Sequence, residues 1–234
     1  MEGNAVARHR LRNVPHQLGY SLRAVLGTRP GAPFAELHRS LGWRVLGLEG
    51  FILADQASYL RRLVAGNPWI RRILEIGFNA GHSSYAFLDA RPDVRVVSFD
   101  LGEHGYTAPA KRFIDQEFPC RHELVRGDST VMVPKYLGKH PGARFELVFV
   151  DGGHEYQVAA ADLRNSRGLV HPGALVVMDD LLARRSWGIG PVKAWAEVQD
   201  EGLVTQIELV RDGQSVNSAH RSAATAAWAL GRYN

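Results

Sequence analysis

Leu74-Glu75-Ile76-Gly77-Phe78-Asn79-Ala80-Gly81-His82-Ser83-Ser84 joins a short apolar run to the start of a helix. The run from Ile73 to Gly77 reads as a strand covered on both faces. Gly77 and Gly81 let the backbone turn tightly and approach a ligand closely. The amides of residues 81–84 open the next helix and so form a place for an anionic group. Ser83 is able to cap that helix or donate to a carboxylate. Strand, glycine turn and helix in that order make the first unit of a parallel α/β sheet.

Downstream the same rhythm repeats. Strands are predicted at Val94–Asp100 (VRVVSFD), His122–Asp128, Phe145–Asp151 (FELVFVD) and Ala174–Asp180. Helices are predicted at about 82–90, 107–118, 130–139, 155–168 and 190–200. Two closing strands, near 203–210 and 224–231, are expected to pair antiparallel at one edge. The expected architecture is a seven-stranded, mostly parallel sheet with helices on both faces and an antiparallel last strand. Trp195 and Trp228 fall at positions that pack in its core. In such sheets ligands sit beyond the carboxyl ends of the strands, near the point where strand order reverses. Chemistry is therefore sought at residues 75–83, 100–106, 128–130, 151–156 and 179–187.

Upstream, Phe34, Leu37 and Leu41 share one helical face, and Leu60, Leu63 and Val64 mark a second helix over 54–65. Asn67-Pro68 ends it. Residues 34–68 are read as a helical cap, 69–234 as the main domain, and 1–33 as a mobile basic arm. Arg8, Arg10, Arg12, Arg23 and Arg29 against Glu2 alone account for the whole formal charge of +4. The rest of the chain balances to zero, which argues against a nucleic-acid partner. No run of 18 apolar residues is present, so no spanning helix and no membrane partner are expected. The single cysteine, Cys120, leaves no intrachain disulfide framework, is expected to be packed, and suits a reducing cytoplasm.

Asp100 ends the second strand, where a carboxylate accepts both hydroxyls of a ribose. Two nucleoside ligands fit, a nicotinamide dinucleotide and S-adenosylmethionine. The dinucleotide fingerprint needs glycines two and five residues beyond Gly77, where this chain has Asn79 and His82. The pattern Glu75-x-Gly77-x-x-x-Gly81-x-Ser83, then Asp100, then Gly127-Asp128-Ser129, resembles the class I S-adenosylmethionine-dependent methyltransferases. Within them it is similar to the catechol-type and macrocin-type O-methyltransferases, over about residues 40–234. The resemblance implies a Rossmann-like domain. It implies a cofactor held by Glu75, Gly77, Asn79, Gly81, Ser83, Asp100, Gly127, Asp128, Ser129 and Asp151. Gly77, Gly81 and Ser83 would take its methionine end, Asp100 its ribose, and Asp128 with Ser129 its adenine.

By the same resemblance, Asp151 after strand four and Asp179-Asp180 after strand five would meet on one rim. Clustered carboxylates repel unless a cation joins them, and oxygen ligands suit Mg²⁺ or another hard divalent ion. His154 stands where relatives carry a basic lysine, and imidazole titrates near neutrality, so it is the expected general base with Asp151 beside it. His104, Tyr106, Arg184, Arg185 and Trp187 are expected near cofactor or acceptor. The implied reaction is metal-assisted methyl transfer to a hydroxyl of a small molecule, a natural-product phenol or sugar, by a homodimer. The alternative is metal-independent N-methylation of an amine such as an amino sugar. A base methyltransferase is disfavoured by Gly152-Gly153-His154 in place of a Pro-Pro-aromatic turn. The intact ligand set argues against a non-catalytic module.

Overall fold

The computed structural model describes residues 34–50, 52–216 and 224–234; the basic arm expected over 1–33 lies outside them. The main sheet is built by β1 (Arg72–Ile76), β2 (Arg95–Asp100), β3 (His122–Arg126), β4 (Phe145–Val150), β5 (Val170–Met178), β6 (Val204–Arg211), β7 (Gln214–Val216) and β8 (Ala227–Tyr233). Their order across the sheet is β3-β2-β1-β4-β5-β8-β6-β7. The pairs among β1 to β5 are parallel, whereas β8 runs antiparallel to both β5 and β6.

The sheet thus has eight strands rather than the expected seven. The added strand, β7, is a three-residue return from β6 through Asp212-Gly213, both at positive φ (47° and 78°). Asp-Gly with that backbone is the signature of a two-residue hairpin turn. Another correction concerns β5, which begins at Val170 rather than Ala174, with a register irregularity against β4 around Pro172-Gly173. Cys120 is also corrected: it is exposed, at φ 60° in the turn before β3, where no core surrounds it.

Why the strands read as unbroken apolar runs is clear from their two faces. Leu147, Phe149, Leu175 and Val177 face one core cluster, and Val148, Val150, Val176 and Met178 face another. Alternate side chains thus enter opposite layers. Helices α3 (His82–Ala90) and α4 (Thr107–Glu117) cover the first face; α5 (Ser129–Lys139), α6 (Tyr156–Ser166) and α7 (Ile189–Asp200) cover the second. Trp195 and Trp228 are buried, as expected. Each fully buried apolar side chain contributes about 1.5–3 kcal/mol.

The cap consists of α1 (Ala35–Leu41), a 3-10 segment (Gly42–Gly47) and α2 (Ala54–Ala65). Helix α1 packs on α4, and α2 on α3. Leu37, Leu41, Leu60 and Val64 are fully buried and join the first core cluster. Strand order reverses beside β1, which pairs with β2 on one side and β4 on the other. In open α/β sheets the crevice beyond such strand ends is the usual place for a ligand.

Candidate active site

The glycine turn after β1 is pressed against the end of β4. Gly77 sits at φ +95°, and a Cβ there would lie 1.9 Å from the carbonyl oxygen of Asp151. The amide of Gly77 donates to Phe99 O, and that of Asp151 donates to Ile76 O, both at 2.8 Å. Gly81, at φ +82°, caps α3. Between the glycines, the Asn79 amide donates to Asp100 Oδ2 at 2.8 Å, and the Gly102 amide donates to Asp100 Oδ1 at 2.7 Å. The half-buried Asp100 carboxylate is therefore oriented by two backbone amides, and each oxygen retains acceptor capacity.

Glu75 is fully buried on the α3 side of β1. Ser83 and Ser84 each donate to it at 2.5 Å, Ser98 on β2 donates as well, and Ser98 Oγ also meets His122 Nε2 at 2.8 Å. Phe78 stacks on His122 with ring centroids 5.0 Å apart. Burial pushes the Glu75 carboxyl above its ordinary range, the three serines oppose the shift, and Asp100 adds to it. Glu75 and Ser83, both expected against the cofactor, are thus engaged with each other. They tie the first turn of α3 to β1 and β2 and so hold the glycine turn from behind.

On the other flank, the Gly127 amide donates to Asp100 O at 2.9 Å. Asp128 caps α5, with Oδ1 accepting from the amide (2.9 Å) and hydroxyl (2.7 Å) of Thr130. Asp128 is exposed, and Gly127 and Ser129 are half-buried. Behind this loop lies the fully buried Asp162 of α6, whose Oδ2 is 3.3 Å from where a Cβ on Gly152 would stand. Burial drives the Asp162 carboxyl up to about 7; the Ser129 hydroxyl opposes this and Asp128 adds to it. Because the folded-state pKa is raised, the protonated form favours folding. That stability is complete below the unfolded value of 3.8 and is lost as pH rises through about 7. Asp162→Asn is expected to remove this slope, worth roughly 4 kcal/mol over its whole range, of which somewhat more than half falls between pH 5 and pH 8. Parallel urea titrations at pH 5 and pH 8 measure it, and equal slopes for both proteins would refute the assignment.

At the ends of β4 and β5, Asp151, His154 and Asp180 come together. One ligand atom from each lies within 4.8 Å of the other two, and His154 Nε2 is 2.8 Å from Asp180 Oδ2. Asp180 takes a left-handed backbone (φ 56°), which separates the direction of its side chain from that of Asp179. Asp179 is buried and turned toward the cap: its Oδ2 accepts from Gln56 Nε2 at 2.6 Å, and its Oδ1 accepts from the Asp180 amide at 2.8 Å. The trio expected on the rim was Asp151, Asp179 and Asp180; the geometry gathers His154 where Asp179 was expected. Gln56 had no place in that expectation. It lies on the buried stripe of α2 with Leu60 and Val64, and a glutamine there demands a polar partner.

Burial, and then the charges of Asp179, Asp180 and Glu75, push the Asp151 carboxyl well above the usual carboxylate range. Asp179 is also raised, by burial and then by Asp180, against the opposing Asp180 amide, Gln56 and His154. For His154, burial disfavours the charged imidazole, but the Asp180 hydrogen bond and the nearby carboxylates outweigh it and raise the pKa. The cluster therefore concentrates negative charge that a proton or a cation would relieve. Nearby, His104 stacks on Tyr106 with centroids 4.9 Å apart, and the Arg185 guanidinium lies 5.5 Å from the centre of the Trp187 ring.

Comparison with known proteins agrees with this layout. Residues 74–181 match the family model described as a methyltransferase domain. The O-methyltransferase TomG of Streptomyces achromogenes, involved in tomaymycin synthesis and solved with S-adenosylmethionine, is 21% identical. The alignment covers 93% of this chain and 98% of that one, with a TM-score of 0.66. The O-methyltransferase of Bacillus cereus, solved with S-adenosylhomocysteine, is 16% identical over 93% and 100% of the two chains, with a TM-score of 0.68. CalS11, a TDP-rhamnose 3′-O-methyltransferase of calicheamicin biosynthesis, is 22% identical over 92% and 94%, with a TM-score of 0.59. No curated protein matches the sequence significantly. Residues 74–181, with the glycine turn at one end and the aspartate pair at the other, thus match a methyltransferase-domain model, and the fold is that of these solved O-methyltransferases.

Proposed function

We propose that this protein transfers the methyl group of S-adenosylmethionine to a hydroxyl of a small molecule, a natural-product phenol or sugar, with help from a divalent cation. The observation that carries the reading is the continuity of one rim. Asp100, the Gly77–Gly81 turn, Asp151 and the end of β5 that carries Asp180 are linked in series through Asn79 N, Gly77 against Asp151 O, and the Asp179 backbone amide donating to Val150 O at 3.0 Å. Cofactor and acceptor ends are thereby held in a fixed relation.

In this reading the glycine turn receives the methionine end, Asp100 accepts from the ribose hydroxyls, and the loops at 127–129 and 151–152 flank the adenine. The acceptor oxygen attacks the methyl carbon in line. S-adenosylmethionine held there would supply an electrophilic methyl group: the O–C bond would form as the C–S bond broke, leaving the neutral thioether S-adenosylhomocysteine, with the hydroxyl proton released at the rim. Alignment of oxygen and methyl supplies most of the acceleration. A cation bound among Asp151, His154 and Asp180 would lower the pKa of the acceptor hydroxyl. The residues suit such an ion, since their donor atoms converge and their negative charge is otherwise poorly compensated. The relatives named for tomaymycin and calicheamicin chemistry support a natural-product acceptor.

The test is calorimetric titration of S-adenosylhomocysteine, followed by radiolabelled methyl transfer to a panel of phenols, sugars and amino sugars, with and without chelator. Micromolar cofactor binding, and hydroxyl methylation that falls more than about tenfold in chelator, are expected. Asp180→Asn should lower turnover by a similar factor while leaving cofactor affinity in place. Failure to bind the cofactor would remove the reading. Chelator-resistant methylation of an amine would replace it with metal-free N-methyl transfer.

A further inference from the structure

We infer that the cation site is a mixed nitrogen–oxygen site, made by Asp151, His154 Nε2 and Asp180, and that it favours a transition-series ion such as Mn²⁺ or Co²⁺ over Mg²⁺ or Ca²⁺. The inference rests on the proposed function and refines it. Its ground is the way the cap removes one carboxylate from the rim. Both oxygens of Asp179 already have donors, Gln56 Nε2 at 2.6 Å and the Asp180 amide at 2.8 Å. Gln56 is only 4% exposed, so the bond is sheltered from water, and breaking it would strand a buried amide.

The vacated corner is filled by imidazole. His154 Nε2 lies 2.8 Å from Asp180 Oδ2, and a donor atom of Asp151 completes a set that spans at most 4.8 Å. Asp151 accepts no side-chain hydrogen bond from any described residue, which leaves its oxygens available to an ion. The loop bearing His154 is fixed from outside by α7. Gly190 approaches so closely that a Cβ there would stand 2.1 Å from His154 O and 2.7 Å from the Tyr156 amide nitrogen. A side chain in this place would push the loop away from the rim.

Ligand chemistry then sets the preference. Mg²⁺ and Ca²⁺ favour oxygen and gain little from imidazole. Imidazole suits first-row transition ions, whose affinities rise along the series from Mn²⁺ to Cu²⁺. With Nε2 on the ion, His154 is a ligand rather than a free base, and the acceptor's proton passes to water at the rim.

The experiment uses the full chain after dialysis against chelator. Mn²⁺, Co²⁺ and Mg²⁺ are titrated calorimetrically, and the Mn²⁺ complex is examined by pulsed electron paramagnetic resonance for coupling to a histidine nitrogen. Mn²⁺ and Co²⁺ should bind at least about tenfold more tightly than Mg²⁺. The nitrogen coupling should be present, and His154→Ala should abolish it and weaken Co²⁺ by about tenfold or more. Gln56→Ala, which frees Asp179, should narrow the gap between Mn²⁺ and Mg²⁺. A bound Mn²⁺ without nitrogen coupling, an unchanged Co²⁺ affinity in His154→Ala, or no cation binding at all would overturn the inference. Titration of S-adenosylhomocysteine into the same samples separates the two readings. Cofactor binding with no nitrogen ligand overturns only the mixed site, whereas loss of cofactor binding in the native protein overturns the methyltransferase activity itself.

Discussion

Gly77→Ala is expected to abolish measurable binding of S-adenosylhomocysteine, a loss of at least about 100-fold, and to lower stability by about 3 kcal/mol or more. Two costs combine. The backbone at Gly77 has φ +95°, which an L-residue adopts only with strain. The new methyl would also lie 1.9 Å from Asp151 O, and a backbone carbonyl at the end of a central strand has no room to retreat. Relief therefore requires β1 and β4 to separate at the crevice beyond their ends. Calorimetry and thermal unfolding read the two effects. Gly138→Ala is the control, because that helical glycine has open space around its Cβ direction, and it should be neutral or stabilising by about 0.5 kcal/mol. Native-like cofactor affinity in Gly77→Ala would show that the turn is not the cofactor's seat.

The second large effect is expected at Glu75, where two substitutions should diverge. Glu75→Ala strands the buried hydroxyl of Ser83 and leaves those of Ser84 and Ser98 with only each other and His122 as partners. Each stranded buried group costs about 1–3 kcal/mol, and the cavity adds to this. The protein should melt far earlier or fail to fold. Glu75→Gln preserves the shape and offers an oxygen and an amide to rotatable hydroxyls, so it should fold. Its pH dependence should differ in a defined sense. Burial raises the Glu75 pKa, so the native carboxyl contributes stability below its unfolded value of 4.5 and loses it as pH rises through the elevated folded value. The glutamine variant lacks that decline and should gain on the native protein as pH increases. Denaturant unfolding from pH 4 to pH 8 decides the matter, and a parallel decline in both proteins would mean that Glu75 does not titrate on folding.

Much of the fold was legible because its signals are local or periodic. The helix over 82–90 is where the glycine turn placed it, and β4 and β5 alternate between two cores as near-continuous apolar runs require. The missed strand β7 has only three residues and no buried face to give it a hydrophobic pattern, although its Asp212-Gly213 turn was readable. At the site, the Asn79 amide of the glycine turn meets the Asp100 carboxylate at the end of the next strand, a contact that no spacing announced. Which of two adjacent aspartates faces the rim was not legible. It depends on the left-handed φ of Asp180 and on Gln56, a partner 123 residues away from Asp179 in the chain. Side-chain competition of that kind leaves no motif.

The place of β8 in the sheet bears on how the site comes into being. β8 lies between β5 and β6, and the amide of Leu181, just past the aspartate pair, donates to Ala227 O at its start. Until β8 docks, β5 is an edge strand whose Leu175-Val176-Val177-Met178 segment offers unpaired amides and carbonyls to any passing chain. The end of the sheet that carries the aspartate pair is thus completed by a long-range pairing. The same strand that orders the aspartates also shields the nascent protein from sticking to its neighbours.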